Sequence, residues 1–265
     1  MSKGHRVGKK LFECYLRQRW HYGKLGTVHW LLRTLALEEV RSSYGPILCG
    51  DPHDFTSALA LSGAYGRDIS DHIASIAPDA TFIDIGASYG LFTLLASQQL
   101  RQGHVLAFEP NPAVHRRLLR AVELNGAGNV NGVNAAVGPA TGPSSLQVDA
   151  AHSGMGRLTW RAPGAGVSVS VIDPASHPLF DSLCTHNGVH IKIDTEGYEY
   201  EVIGLLRQAH WFDRVRSIIV EIDDGYLRAY GNTAQSVYEM LQTDGFSPRT
   251  GLEARPHYDE IFCRT

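Results

Sequence analysis

The sequence predicts a doubly wound α/β fold, a mostly parallel sheet with helices on both faces, and three observations carry that prediction. Apolar runs of strand length alternate with segments of helical periodicity from residue 81 onward. The first run, Thr81-Phe82-Ile83-Asp84-Ile85, ends in a turn holding Gly86 and Gly90 and passes straight into a helix beginning Leu91-Phe92-Thr93-Leu94-Leu95-Ala96. Asp84, Glu109, Asn134, Asp194 and Glu221 stand at the carboxyl ends of such runs, beyond which sheets of this kind bind their ligands.

Residues 1–45 read as helical, with apolar residues at helical spacing over 28–40. Turn formers then crowd residues 42–54, with Gly45-Pro46 and Gly50-Asp51-Pro52. Residues 1–54 are therefore expected to be a helical, basic extension that caps the following domain, 55–265, or forms a dimer surface. Residues 55–77 predict one or two helices leading to the first strand. His104-Val105-Leu106-Ala107-Phe108-Glu109 is a second strand, and Pro110-Asn111-Pro112 opens a helix over 113–124 that Asn125-Gly126 closes. Its basic face carries Arg116, Arg117 and Arg120.

A third strand is expected over 130–137. From 138 to 173 the pattern changes to short alternating pieces, Ser145-Leu146-Gln147-Val148, Arg157-Leu158-Thr159-Trp160 and Val167-Ser168-Val169-Ser170-Val171, which predict an antiparallel β insertion. The core pattern resumes with His190-Ile191-Lys192-Ile193-Asp194, a helix over 200–208, and Ser217-Ile218-Ile219-Val220-Glu221-Ile222. A helix near 233–243 and a closing strand near 260–263 complete the chain.

The 265 residues suffice for one large domain with an appended segment. The formal charge of −3 hides an asymmetry: residues 1–45 hold nine Lys or Arg against three acids, about +6, which leaves about −9 for the remainder. Such a segment suits an anionic lipid surface, an acidic partner, a nucleic acid or plain solvent. The acidic remainder argues against a large nucleic-acid footprint. No apolar run approaches a membrane span, and the polar start lacks a signal-peptide core, so a soluble, cytoplasmic protein is expected. Cys14, Cys49, Cys184 and Cys263 are scattered and read as reduced thiols, and the 13 histidines form no ligand cluster.

The glycine turn defines a ligand chemistry. Gly86 and Gly90 permit positive backbone angles and a ligand lying against main chain. Glu109 follows roughly two dozen residues later, near the offset at which a second-strand acid reaches a ribose. The dinucleotide pattern G-x-G-x-x-G is absent, because Asp84 occupies its first position. An acid there disfavours phosphate and favours a cation. S-adenosylmethionine meets these conditions, with a sulfonium, an ammonium and a ribose whose hydroxyls can donate to Glu109. Hydrogen bonds to a charged group contribute about 1.5–3 kcal/mol each.

The strings F-I-D-I-G-A-S-Y-G-L-F-T from Phe82, A-F-E-P-N-P from Ala107, N-A-A-V-G from Asn134 and I-K-I-D-T-E-G-Y-E from Ile191 resemble the FkbM family of S-adenosylmethionine-dependent methyltransferases over residues 50–225. The resemblance implies a Rossmann-like class I methyltransferase fold and O-methylation, commonly of sugar hydroxyls in glycans or glycosylated natural products. It implies donor contacts from Asp84, Gly86, Ala87, Ser88, Tyr89, Gly90, Glu109, Pro110, Asn111, Asn134, Ala135 and Asp194. Two departures stand out: Ser88 occupies a position that is usually Asn, and Gly63-Ala64-Tyr65-Gly66-Arg67-Asp68 reaches its acid later than the family pattern does.

A hydroxyl acceptor benefits from a base, worth about 10²–10⁴-fold in rate. Asp194 and Glu196 in the turn after the fourth core strand, Lys192 on the same strand face as Asp194, Glu221 on the neighbouring strand and His152 in a glycine-flanked loop are the catalytic candidates. A structural ion pair between Lys192 and Glu221 is the alternative for that cluster. Asp194, Glu221 and Asp223 offer oxygen ligands for Mg²⁺, but one carboxylate cluster beside a lysine is thin support, and no metal is assigned. Asp194-Thr195-Glu196-Gly197 differs from the N-P-P-Y type turn of amino-group methyltransferases, which favours an oxygen acceptor. The competing expectations are a carboxylate or other oxygen acceptor in a small metabolite or peptide, and a non-catalytic cofactor-binding assembly module whose basic extension docks a complex or a membrane.

Overall fold

The computed structural model describes residues 3–139, 141–149, 151–159, 166–183, 188–253 and 255–265; Trp160 and Cys184 lie outside them. The chain opens with α1 (Lys3–Leu16) and α2 (Lys24–Leu35), which bury Phe12, Leu16, Val28 and Leu32. Lys24 is fully buried, yet its Nζ donates at 2.8 Å to the carbonyls of Leu16 and Gln18, so the ammonium satisfies backbone acceptors at the end of α1. Helix α2 stops at Leu35 because Ala36 turns left-handed, with φ of 46°.

The helical expectation for 28–40 is corrected there. Residues beyond Ala36 form β1 (Glu39–Arg41), paired antiparallel with β2 (Ile47–Cys49) inside the stretch expected to be loop. Leu37 is buried just past the helix end, where its N–H bonds back to Leu32 O, and Val40 is buried from β1, so their spacing imitates a helix face. Two helices follow, α3 (Phe55–Ser62), capped by the Asp54 side chain, and α4 (Arg67–Ser75).

The core then runs β3 (Thr81–Ile85), α5 (Leu91–Gln99), β4 (His104–Phe108), α6 (Pro112–Asn125) and β5 (Val130–Val133). The strand expected over 130–137 is broken. Asn134 donates from Nδ2 to the carbonyls of Glu109 and Pro110, and β6 (Ala136–Val137) leaves the main sheet. It joins β7 (Gly142–Gln147), β8 (Arg157–Thr159) and β9 (Val167–Ile172) in a separate four-stranded sheet of order β6-β9-β7-β8. That sheet is antiparallel except for the β6–β9 pair. After α7 (Pro178–Leu183) come β10 (Val189–Ile193), α8 (Glu199–Leu206), β11 (Val215–Asp223), α9 (Asp224–Ala229), α10 (Ala234–Thr243), β12 (Phe246–Pro248) and β13 (His257–Arg264). Helices α7 and α9 and strand β12 are additions to the elements expected from the sequence.

The main sheet has the order β12-β13-β11-β10-β3-β4-β5. Five strands are parallel, and β13 closes one side antiparallel to β11. The chain winds from β3 outward through β4 and β5, then returns to place β10 on the other side of β3. The point where the winding reverses lies between β3 and β10, and its carboxyl end is the ligand position of a doubly wound sheet. The two faces bury different sets, as the two-residue strand period requires. Ile83, Ile85, Leu106, Ile191 and Ile193 pack with the layer containing Val202, Ile203 and Leu241. Phe82, Val105, Ile219 and Ile261 pack with the N-terminal helices and α5. No helix among the described residues is long and apolar enough to cross a membrane.

Candidate active site

A cavity of about 880 Å³ opens at the winding reversal. Gly86 and Ser88 from the turn after β3, Glu109 and Pro110 after β4, Ala135 after β5, and Asp194 and Glu196 after β10 all line it. Other segments close it: the start of α3, the 63–66 turn and the first residues of α4, the insertion through Leu146, Ser153–Met155 and Leu158, and β13.

The turn after β3 is fixed by packing as well as by backbone freedom. Gly86 has φ of 81°, and a Cβ there would collide with the carbonyl oxygen of Asp194. Asp194 N donates to Ile85 O at 3.0 Å, so the ends of β3 and β10 form one unit. Gly90 does not line the cavity; it caps α5 in a left-handed conformation and packs beside Leu118. Ser88 also has positive φ, 50°, and its N–H donates at 2.9 Å to Glu109 Oε2. The other oxygen of Glu109 accepts from Asn111 N at 2.8 Å, and Asn111 caps α6 through its own side chain. Glu109 is 7% exposed, and burial pushes its carboxyl up to about 7 against the pull of those two amides.

Several expected donor contacts lie away from the cavity wall. Asp84 is buried one layer below, where Oδ2 accepts from Thr93 Oγ1 at 2.6 Å, and burial raises its pKa. Ala87 donates its N–H to Phe108 O, and Asn134 braces the turn after β4. Tyr89 is buried, with its hydroxyl donating at 2.6 Å to Asp54 Oδ2. The other oxygen of Asp54 accepts from Thr56 N and Ser153 N, so one carboxylate joins the donor-side turn, the start of α3 and the insertion.

The acids after β10 and on β11 do converge. Asp194, Glu196 and Glu221 each bring a carboxylate oxygen to within 4.8 Å of the other two, an arrangement able to hold a cation. Asp223 is not part of it; its Oδ1 accepts from Tyr226 N and caps α9. Lys192 is 3% exposed and pairs with Asp194 Oδ2 at 2.8 Å, so the alternative of a Lys192–Glu221 pair is replaced by a Lys192–Asp194 pair. Burial pulls the Lys192 pKa down, but Asp194 and Asp84, its direct cross-strand neighbour, overcome it and the net shift is upward. Glu221 Oε1 lies 3.1 Å from His257 Nε2, while Oε2 is buried without a hydrogen-bond partner. Burial, then Asp194 and Glu196, drives Glu221 well above the carboxylate range, and burial with Asp194 and Glu199 lifts Glu196 to about 8. Glu196 holds φ of 57°, a strained conformation for a non-glycine residue. Glu199 is turned away, accepting from Thr195 and Gly197 to shape the turn.

Sequence reading missed Asp259. It faces Glu221 directly across the β11–β13 ladder, lines the cavity, and is raised by burial to about 6 despite Lys192. Its place was not marked by alternation, since Tyr258-Asp259-Glu260-Ile261 reads apolar, polar, polar, apolar, and the last strand begins at His257, three residues before the expected start. Asp68 lines the cavity beside Tyr65 and Arg67, so the late acid of the 63–68 stretch does reach the site. His152 also lines it, with Nδ1 3.2 Å from Thr56 Oγ1 and its ring against Phe55, remote in chain from the carboxylates.

The chain is similar to known methyltransferases. The chain is 27% identical over 197 residues to Methyltransferase 1 of Beauveria bassiana (strain ARSEF 2860), covering 66% of this chain and 75% of that protein. It is 24% identical over 197 residues to Methyltransferase sdnD of Sordaria araneosa, covering 62% and 76%. Among solved structures it aligns with M. jannaschii TYW2 in complex with AdoMet at a TM-score of 0.45 and 12% identity, covering 86% of this chain and 87% of the other. Precorrin-6y C5,15-methyltransferase from Geobacter metallireducens GS-15 aligns at 0.42 and 16%, covering 75% and 87%. The family model of the methyltransferase FkbM domain matches residues 84–247, from the acid of β3 through the carboxylates of β10 and β11 to β12, and this chain belongs to the FkbM methyltransferases.

Proposed function

We propose that the chain is an S-adenosylmethionine-dependent O-methyltransferase whose acceptor is a hydroxyl, of the sugar class found in glycans and glycosylated natural products. The observation that carries this reading is the pairing, in one cavity, of Glu109 after β4 with the carboxylate-rich turn after β10. Each Glu109 oxygen has one protein donor, which leaves each a lone pair for a ribose hydroxyl. The main chain of Gly86 and Ser88 borders the same space, so the residues present fit the donor. When bound, S-adenosylmethionine supplies an activated methyl group on a cationic sulfur.

The chain's own task is to align a hydroxyl and accept its proton, and alignment alone contributes about 7–11 kcal/mol. Glu196 is placed to be the base: it lines the cavity, and a carboxyl lifted by burial to about 8 can both hold and release a proton near neutral pH. Lys192 anchors Asp194 and thereby positions the turn that carries Glu196. A carboxylate acceptor fits less well, since it would add negative charge to a cavity where burial and crowding already drive Glu196 and Glu221 toward protonation.

Calorimetry with S-adenosylmethionine and S-adenosylhomocysteine tests the donor half. Transfer of labelled methyl to a panel of glycosides tests the acceptor half, followed by mild alkali. An alkali-stable label is the ether expected here. An alkali-labile label is an ester and overturns the hydroxyl reading, and an absence of donor binding overturns the whole.

A further inference from the structure

We propose that α1 and the α1–α2 connection dock the protein on an anionic lipid surface, with the cavity mouth beside the contact. Helix α1 has two apolar lines. Phe12 and Leu16 face inward, whereas Val7, Leu11 and Cys14 are exposed. At about 100° per residue the second set lies within about 60° of arc, a continuous outward stripe. Val7 is 56% and Leu11 66% exposed, which is unexpected for a merely solvated face. Arg6, Lys10 and Arg17 are exposed along one flank of the stripe, and Arg19 follows in the connection. None of these four pairs with a carboxylate among the described residues. Glu13, the one acid of the helix, is turned into the fold to accept from Arg41 N at 3.0 Å.

Three large aromatic residues that follow α1 in the chain are exposed as well. Trp20 is 49% exposed, Tyr22 fully and Trp30 62%. An apolar line with a basic flank and aromatic neighbours is the chemistry of a helix lying in a lipid headgroup region. Charge selects among occupants. From Lys3 to Ala36 the chain holds eight Lys or Arg against Glu13 alone, so a second copy seated on the same face would oppose like charge to like charge. An anionic bilayer complements it, each basic side chain near the surface strengthening binding roughly fivefold. Trp20 also lines the cavity, which sets the mouth at the edge of the docking surface.

Co-sedimentation with phosphatidylcholine vesicles, with and without phosphatidylglycerol, tests this at low and high salt. The expected result is binding to the anionic vesicles that salt weakens. Arg6→Ala/Lys10→Ala/Arg17→Ala should reduce it roughly fivefold per charge, and Leu11→Asp should remove most of it. Melting temperature and donor affinity without vesicles, measured on the same variants, separate loss of docking from loss of fold or of the donor site. No vesicle binding, equal binding by the variants, or equal binding to neutral vesicles overturns the proposal. So does a dimer in sedimentation velocity that Leu11→Asp dissociates, which would make the face a contact between copies. If vesicles fail and an acidic protein binds instead, the surface is a protein-docking one and the lipid proposal falls.

Discussion

Gly86 sits so close to the carbonyl of Asp194 that no side chain fits between them. The glycine of the first motif and the aspartate of the fourth-strand motif are therefore one packed junction across the β3–β10 pair. Gly86→Ala combines a left-handed backbone with a backbone collision, a cost of about 2–5 kcal/mol. Urea denaturation of the variant should show that loss, and donor binding should fall with it. Gly90→Ala, facing the movable Leu118 side chain, should lose less.

Glu109→Ala should weaken donor binding about 10- to 100-fold in calorimetry, the equivalent of one charged hydrogen bond. Because burial raises Glu109 to about 7, the ionised acceptor forms only as pH passes that value. Donor affinity should rise through about 7 and be flat in Glu109→Gln. Stability has the opposite sign. A raised carboxyl favours the folded state below its unfolded pKa and loses that advantage as pH climbs through about 7, so the melting temperature relative to Glu109→Gln should decline over that window.

Lys192→Met strips the ammonium from a buried group that includes Asp84, Asp194 and Asp259. Leaving buried acids uncompensated costs about 3–5 kcal/mol. The loss should shrink as pH falls, because those carboxyls can then take up protons. A variant equally destabilised at all pH values would refute this electrostatic account.

Glu196→Gln should lower kcat about 10²–10⁴-fold while leaving the donor Kd unchanged. In the wild type, kcat should increase with pH until about 8, where Glu196 becomes ionised. A rate that is independent of pH from neutral to about 8 would remove Glu196 as the base and leave His152 or Glu221 to be examined.

At the opposite, amino end of the sheet, Ser217 Oγ lies 2.7 Å from His190 Nδ1 and 2.8 Å from His72 Nε2. Burial, with His72 adding to it, pushes His190 down to about 4, and His72 is lowered too. A depressed histidine contributes stability that is complete above its unfolded pKa and lost as pH falls toward the folded one. Wild-type melting temperature should therefore drop between about 6.5 and about 4, and His190→Gln should lessen the drop.

The parallel core was legible because its strands are buried on both sides and read as unbroken apolar runs, as Thr81–Ile85 does. Acids at their ends could be placed on one edge from the chain alone. Which acids share a face was harder. Glu221 and Asp259 meet only through an antiparallel return of β13 that no local pattern announces. Val40 and Leu37 misled for a physical reason: Leu37 is buried where its N–H bonds back to Leu32 at the end of α2, Val40 is buried from the separate strand β1, and their spacing of three coincides with a helix face. Asp84 looked like a ligand residue because it follows an apolar run, yet one residue of strand remains after it and turns it toward Thr93.

The Asp54 carboxylate holds the hydroxyl of Tyr89 and the amides of Thr56 and Ser153 at once. Exchange of parts between relatives is constrained by that joint. A foreign 138–173 segment grafted to change the acceptor must bring an amide to Asp54, or Tyr89 loses the anchor that keeps the donor-side turn in shape. The modules that choose the two substrates are thus not separately replaceable, and successful chimeras should keep residues 54, 89 and 153 together as one inherited set.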